Sequence, residues 1–263
     1  MSYPGDPAII YLDSRDRLDG TSNFFTYEIP TGLLHDKNFA CVMDASIPKS
    51  YYNIRSGQGS FTLRENDVDT LIIVPPATYN RKNLATTLQT LLNAASSTGS
   101  TYVITYANPG SPDTGKYTFT ITPHEDLSSA AFIFDNQSEI NENLGFALDS
   151  VNPFTLFGAG TSDSFTTGVL VSPGVVDLSG EHTLYIRTSL VVDSQGSNIL
   201  QPIQASGDIS FGTISFQQWN IDVNKKRLST TDSNIFQFWL CNERSHSIDL
   251  NLKDWVCTIL LLP

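Results

Sequence analysis

The 263-residue chain carries 15 Lys and Arg against 27 Asp and Glu, a formal net charge of −12. That balance excludes general binding to a phosphate backbone, which needs a basic face, while the length allows one large β domain or two smaller ones. Charged residues make up 16% and aromatics 11%, a surface poorer in charge than an ordinary soluble monomer carries, which points to cover by partner subunits.

The first ten residues, MSYPGDPAII, have no basic stretch ahead of an apolar core, so no secretory signal is expected. The run AIIYL (8–12) reads as a strand that Asp13 and Ser14 end, with Arg15 and Arg17 pairing with nearby carboxylates. Asp13, Asp16 and Asp19 precede Gly20 at a spacing of three. A calcium loop takes ligands at alternate positions and closes on a bidentate Glu, so these aspartates read as a turn. Strands follow at 24–29, 39–47, 60–64 and 70–74.

Pro75-Pro76 closes the last of these. Leu84, Leu88, Leu91 and Leu92 then form one stripe of a 3.6-residue period, predicting a helix over 81–93 with Asn80 as its cap and Gly99 beyond its end. Strands 101–106 and 116–122 flank a hairpin loop at 107–115, where Asp113-Thr114-Gly115 reads as a tight turn. A strand at 131–134 precedes a helical turn over 137–144 that Gly145 ends. The segment 149–175, with Gly158, Gly160, Gly168, Gly174, Phe154, Phe157 and Phe165, is too apolar for a disordered linker. It reads as a long ordered loop lying on the body or on a neighbour, or else as a domain boundary near residue 150.

Further strands fall at 183–192, 209–216, 234–242 and 254–262. The last is nearly all apolar, so one face is expected on the core and the other under a loop or a neighbouring subunit. Lys225-Lys226-Arg227 is the one basic triplet and reads as a solvated hairpin tip. No run approaches 18 apolar residues, so no membrane-spanning segment is expected.

Residues suited to chemistry are sparse. No G-x-S-x-G, phosphate loop or H-E-x-x-H occurs. Cys41, Cys241 and Cys257 are an odd number without framework spacing, and read as buried reduced thiols. The segment Cys241-Asn242-Glu243-Arg244-Ser245-His246 matches no nucleophile signature, Asn242–Ser247 reads as a turn after an apolar strand, and His35, His124 and His182 are isolated. Asn136-Gln137-Ser138 fits a glycosylation acceptor but is set aside for want of a secretory route. No catalytic, metal or cofactor-binding residue is assigned, no cofactor is expected, and the chain reads as a non-enzyme. The fold class is all-β: a jelly-roll β-sandwich with long loops and one covering helix. Tyr51, Tyr52, Phe154, Phe157, Trp219 and Trp255 are the candidate interface residues, the tryptophans reading as core or interface anchors.

Several segments carry a family likeness in their order. They are Leu12-Asp13-Ser14-Arg15-Asp16-Arg17, then 45–54 (ASIPKSYYNI), the Tyr79 entry to the leucine-striped helix, and Asn143-Leu144-Gly145-Phe146. Leu184-Tyr185-Ile186-Arg187-Thr188 and Ser197-Asn198-Ile199-Leu200 complete the series. With this series the chain resembles the penton, or minor capsid, proteins of double-jelly-roll DNA viruses, as in virophages, Polinton-like viruses and adintoviruses. The resemblance implies one jelly-roll capsid domain over 1–263 with an inserted or distal subregion around 75–175. It also implies a pentamer at the capsid vertex of the virion that meets the major capsid protein, with synthesis inside the host cell. Exposed loops leave room for a host receptor, while specific nucleic acid is not expected as a partner. The alternative is a receptor- or carbohydrate-binding β-sandwich of the spike or lectin type. A jelly-roll enzyme such as a cupin would need a His-rich metal set on neighbouring strands.

Overall fold

A computed structural model describes residues 6–106, 112–124, 127–135, 140–158, 165–192, 198–205, 211–229 and 233–263. The chain divides into two compact units: Met1–Tyr51 together with Glu181–Pro263, and Tyr52–Gly180. In chain order the first unit opens with β1 (Ala8–Asp13), β2 (Asp19–Thr21), β3 (Phe24–Glu28), α1 (Thr31–Leu34) and β4 (Phe39–Pro48). The second holds β5 (Ser60–Glu65), β6 (Val68–Ile73), α2 (Arg81–Ala95), β7 (Thr101–Thr105), β8 (Thr118–Thr122) and β9 (Ala130–Phe134). It continues with α3 (Ile140–Leu144), β10 (Ser150–Pro153), β11 (Thr155–Gly158) and β12 (Phe165–Val171). The first unit then resumes with β13 (Thr183–Thr188), β14 (Ile199–Gln204), β15 (Thr213–Gln217), α4 (Ile221–Asn224), β16 (Lys226–Arg227), β17 (Ile235–Cys241) and β18 (Val256–Leu262).

In the first unit the strands pair outermost with outermost. β1 lies antiparallel to β18, β3 to β17, β4 to β15, and β13 to β14. A ribbon of four such pairs winds into two sheets, ordered β1-β18-β4-β15 and β14-β13-β17-β3-β2. This is the jelly roll, and the all-β expectation holds. Alternation fills its core. Cys257, Ile259 and Leu261 of β18 face inward beside Ala40, Val42 and Ala45 of β4, and Phe25 and Phe238 stack across β3 and β17. On the opposite face of β18, Val256 is exposed, and Thr258, Leu260 and Leu262 are half-buried.

The second unit is a sandwich of its own, with sheets β10-β9-β5-β6 and β11-β12-β8-β7. Its core is aromatic: Phe119 meets Phe132 edge-on at 5.0 Å, and Phe134 stacks on Phe146 at 4.9 Å. The predicted helix is present as α2, its Leu84, Leu88 and Leu92 buried. It packs on β6 and β7, the edge strands of the two sheets, and so closes that side of the sandwich. The Asn80 side chain accepts from the Asn83 N–H at 2.9 Å, capping the helix as expected.

Several expectations are corrected. The segment 149–175 holds β10, β11 and β12 in place of a loop. The strand expected over 183–192 stops at Thr188, whose hydroxyl accepts from the Leu190 N–H as the chain turns away. The basic triplet is no hairpin tip, because Lys226 and Arg227 pair with Ala40 and Phe39 of β4. β14 was hidden by Pro202, which is tolerated because β14 is an edge strand. The Asp113 carboxylate accepts from the Gly115 N–H, and Gly115 and Gly145 both take positive φ, as the turn readings require. The glycosylation acceptor at 136–138, the start of the helical turn at 137–139, residues 107–111 of the hairpin loop and the start of strand 209–216 lie outside the described residues.

Candidate interaction surfaces

The motif series turns out to fasten the fold. Asp13 caps the short 3-10 turn Ser14–Asp16 and pairs with Arg15, while Arg17 reaches Asp254 at 3.2 Å. The Ser14 hydroxyl donates to Asp254 and accepts from the Trp255 N–H at 3.0 Å, tying the turn to the start of β18. Within the second unit, Asn53 binds three backbone groups. Its amide donates to the Tyr79 and Leu178 carbonyls at 2.8 and 2.9 Å and accepts from the Tyr79 N–H at 2.9 Å. Asn143 donates to the Asp177 carbonyl at 2.8 Å, and the Gly174 N–H donates to the Gly145 carbonyl at 2.7 Å. Gly145 has no alternative: its φ is +76° and a Cβ there would lie 2.4 Å from the Gly174 carbonyl oxygen. Both motifs therefore pin the stretch 174–178 by which the chain leaves this unit. In the first unit, Arg187 of β13 bonds Asn198, just ahead of β14, and Ser245, in the turn after β17.

The second unit also buries a carboxylate. Glu65 accepts from the Tyr102 hydroxyl at 2.8 Å, the Ser96 hydroxyl at 2.8 Å, and the Ser97 N–H at 2.7 Å. Burial alone would raise the Glu65 carboxyl, but the bonds from Tyr102, Ser96, Ser97 and Thr98 together hold it below the usual range. Burial and the neighbouring carboxylate push the Tyr102 phenol far up. The three thiols are free and buried, and burial raises each of them, which disfavours thiolate chemistry. Cys241 ends β17, and the turn after it is held by Asn242, whose side chain accepts from the Arg244 and His246 N–H groups. Among the described residues no three His, Cys, Asp or Glu are grouped to hold a metal, and no helix is long and apolar enough to cross a membrane.

The six candidate interface residues separate by burial. Trp255 is 1% exposed, packed on Phe25 with its indole N–H donating to the Ser22 carbonyl at 2.7 Å. Tyr51 belongs to the same core, and Phe154 to the core of the second unit. Tyr52 is half-buried. Phe157 is exposed on β11, and Trp219 is 88% exposed beside α4. Residues outside that set complete a surface. The outer face of β1 and β18 carries Ile9 opposite Leu260 and Tyr11 opposite Thr258, with Val256 opposite Asp13. Tyr11 is 74% exposed, and Ile9 and Val256 are also exposed. The alternation of AIIYLD held the signal for Ile9 and Tyr11, since inward Ile10 and Leu12 force their neighbours out.

No protein-family model matches the chain, and no curated protein matches it. Among solved structures the chain is similar to the selenomethionine-labelled mavirus penton protein, at 12% identity and a TM-score of 0.44, over 97% of this chain and 99% of that one. It is also similar to a chain in the 3.5 Å cryo-EM structure of the Sputnik virophage, at 10% identity and a TM-score of 0.41, over 98% of each.

Proposed function

We propose that this chain is a structural penton, or minor capsid, protein at the vertex of an icosahedral DNA virus, assembling as a pentamer and contacting the major capsid protein. The observation that carries this reading is the open outer face of the jelly-roll sheet β1-β18-β4-β15. Ile9, Tyr11 and Val256 are exposed there on framework strands, where side chains have fixed directions. Large apolar groups gathered on a rigid face mark a surface made to be covered. Trp219, exposed beside α4, has the side chain most often found as an interface anchor. The order of the motif series supports the same reading. The protein then works by shape and contact in the virion, turning over no substrate.

Class averages of the purified protein in the electron microscope test this. Five-fold rings are expected, and addition of the cognate major capsid protein should give a co-sedimenting complex. Three-fold particles, or single copies under every salt and concentration tried, would overturn it.

A further inference from the structure

The second unit presents two outward sheet faces of unusual character. On β10-β9-β5-β6, the inward positions are Phe61, Leu63, Ile72, Phe132 and Phe134. Alternation turns the other set out, and register aligns four of them in one row across the sheet: Leu71, Thr62, Ile133 and Val151. Leu71 and Val151, at the two ends of the row, are 61% and 60% exposed, and Ile73 is exposed beside Leu71. The charges on this face, Arg64 and Asp69, neutralise each other through two hydrogen bonds at 2.6 and 2.7 Å.

The other sheet, β11-β12-β8-β7, faces the opposite way, because the shared aromatic core lies between the two. Its outward positions form the row Val103, Thr120, Val169 and Thr155, flanked by Thr101 opposite Thr122 and Thr105 opposite Thr118. Phe157 and Val171 lie on the same face and are exposed. No charged residue occurs in any of these four strands. Edge strands of solvated sheets ordinarily carry Lys, Glu or Pro as guards against edge pairing or lie under a helix; α2 covers the β7 edge, whereas β11 carries no such residue.

We infer that these two faces are the front and back of one contact between neighbouring copies: the Leu71–Val151 face of one copy packs on the Val103–Thr155 face of the next. The inference rests on the pentamer reading above and names a surface for it. Charge selects a second copy as the occupant. A chain of net charge −12 approaches itself most readily through faces that oppose no like charges and whose one carboxylate, Asp69, is already paired with Arg64. A partner recruited by acidity would instead bring basic groups to clusters of acidic ones; the one carboxylate on these strands' outward positions, Asp69, is already held by Arg64. Two different neutral faces on opposite sides of one sandwich also suit a heterologous contact, which closes into a ring when the rotation allows.

The test uses two variants of the full chain, Leu71→Lys with Val151→Lys, and Val103→Lys with Thr120→Lys. Each is first checked for unchanged melting; Ile73→Lys replaces Leu71→Lys if that variant misfolds. By light scattering each variant alone is expected as a monomer. An equal mixture is expected to stop at a dimer, because each variant supplies the one sound face the other lacks. Variants that both remain pentameric would overturn this contact while leaving the vertex reading intact. A Val103→Lys, Thr120→Lys protein that still pairs with itself would show like faces meeting and overturn the front-to-back arrangement. A monomeric parent would overturn the vertex reading and this contact together.

Discussion

Trp255 and Trp219 are the same residue type in opposite settings. The Trp255 ring fills the jelly-roll core and its N–H is satisfied by the Ser22 carbonyl. Truncation to Ala should cost about 3–5 kcal/mol, read as a lower melting temperature. Trp219→Ala should leave melting unchanged within about 0.5 kcal/mol while weakening assembly. Equal melting losses in the two variants would contradict this division. Sequence could name both as anchors, because size and aromaticity are visible there. It could not separate them, since Trp255 heads the apolar run VCTILLL and Trp219 follows two glutamines, and neither context states what lies across the fold.

Glu65 was not legible at all. It ends an apolar-alternating strand, and its partners lie 31–37 residues later in the loop after α2 and in β7. Its carboxyl is held low in the folded chain, so its stabilisation is complete above the unfolded value, about pH 4.3. That stabilisation drains as the pH falls through the depressed folded value. Glu65→Gln should cost about 2–3 kcal/mol at neutral pH and flatten the acid side of the melting profile. A variant with the parent's acid slope would show that Glu65 does not drive it.

At the scale of elements, β18 is the strand on which the jelly roll depends. It lies between β1 and β4 and pairs with both along its length. Cutting the chain after Asp254 removes that strand and leaves the facing backbone groups of β1 and β4 unpaired. The loss should exceed the whole stability of a domain, about 5–15 kcal/mol. Circular dichroism and limited proteolysis of the truncated protein should show the first unit unfolded. A truncated chain that melts like the parent would contradict the topology. β18 and α2 were readable because apolar periodicity is a local signal: seven nearly apolar residues in one, leucines at 3.6-residue spacing in the other. β10, β11 and β12 were not. Pro153, Gly158 and Gly168 punctuate them like a loop, and β10 and β12 are anchored by β9 and β8 earlier in the chain, with β11 in turn paired to β12. A Cβ at Gly168 would meet Ile121 and Leu156 at about 2.6 and 2.5 Å, so that glycine serves close strand packing and not a turn.

For the whole molecule, the charge of −12 opposes gathering copies, and salt should relieve that opposition. Between about 0.1 M and about 1 M salt the screening length falls from about 10 Å to about 3 Å. Assembly held by apolar and uncharged faces should therefore strengthen with salt, whereas assembly held by ion pairs would weaken. The low charge and high aromatic content were the sequence's own hint of covered surface, but which faces stay open depends on strand register, which composition does not contain. The most direct test of the account is the mass of the full chain in solution by light scattering across that salt range. The account predicts five copies of the 28.9 kDa chain, about 145 kDa, with the assembled fraction rising with salt. A mass of one chain at every salt concentration would contradict it.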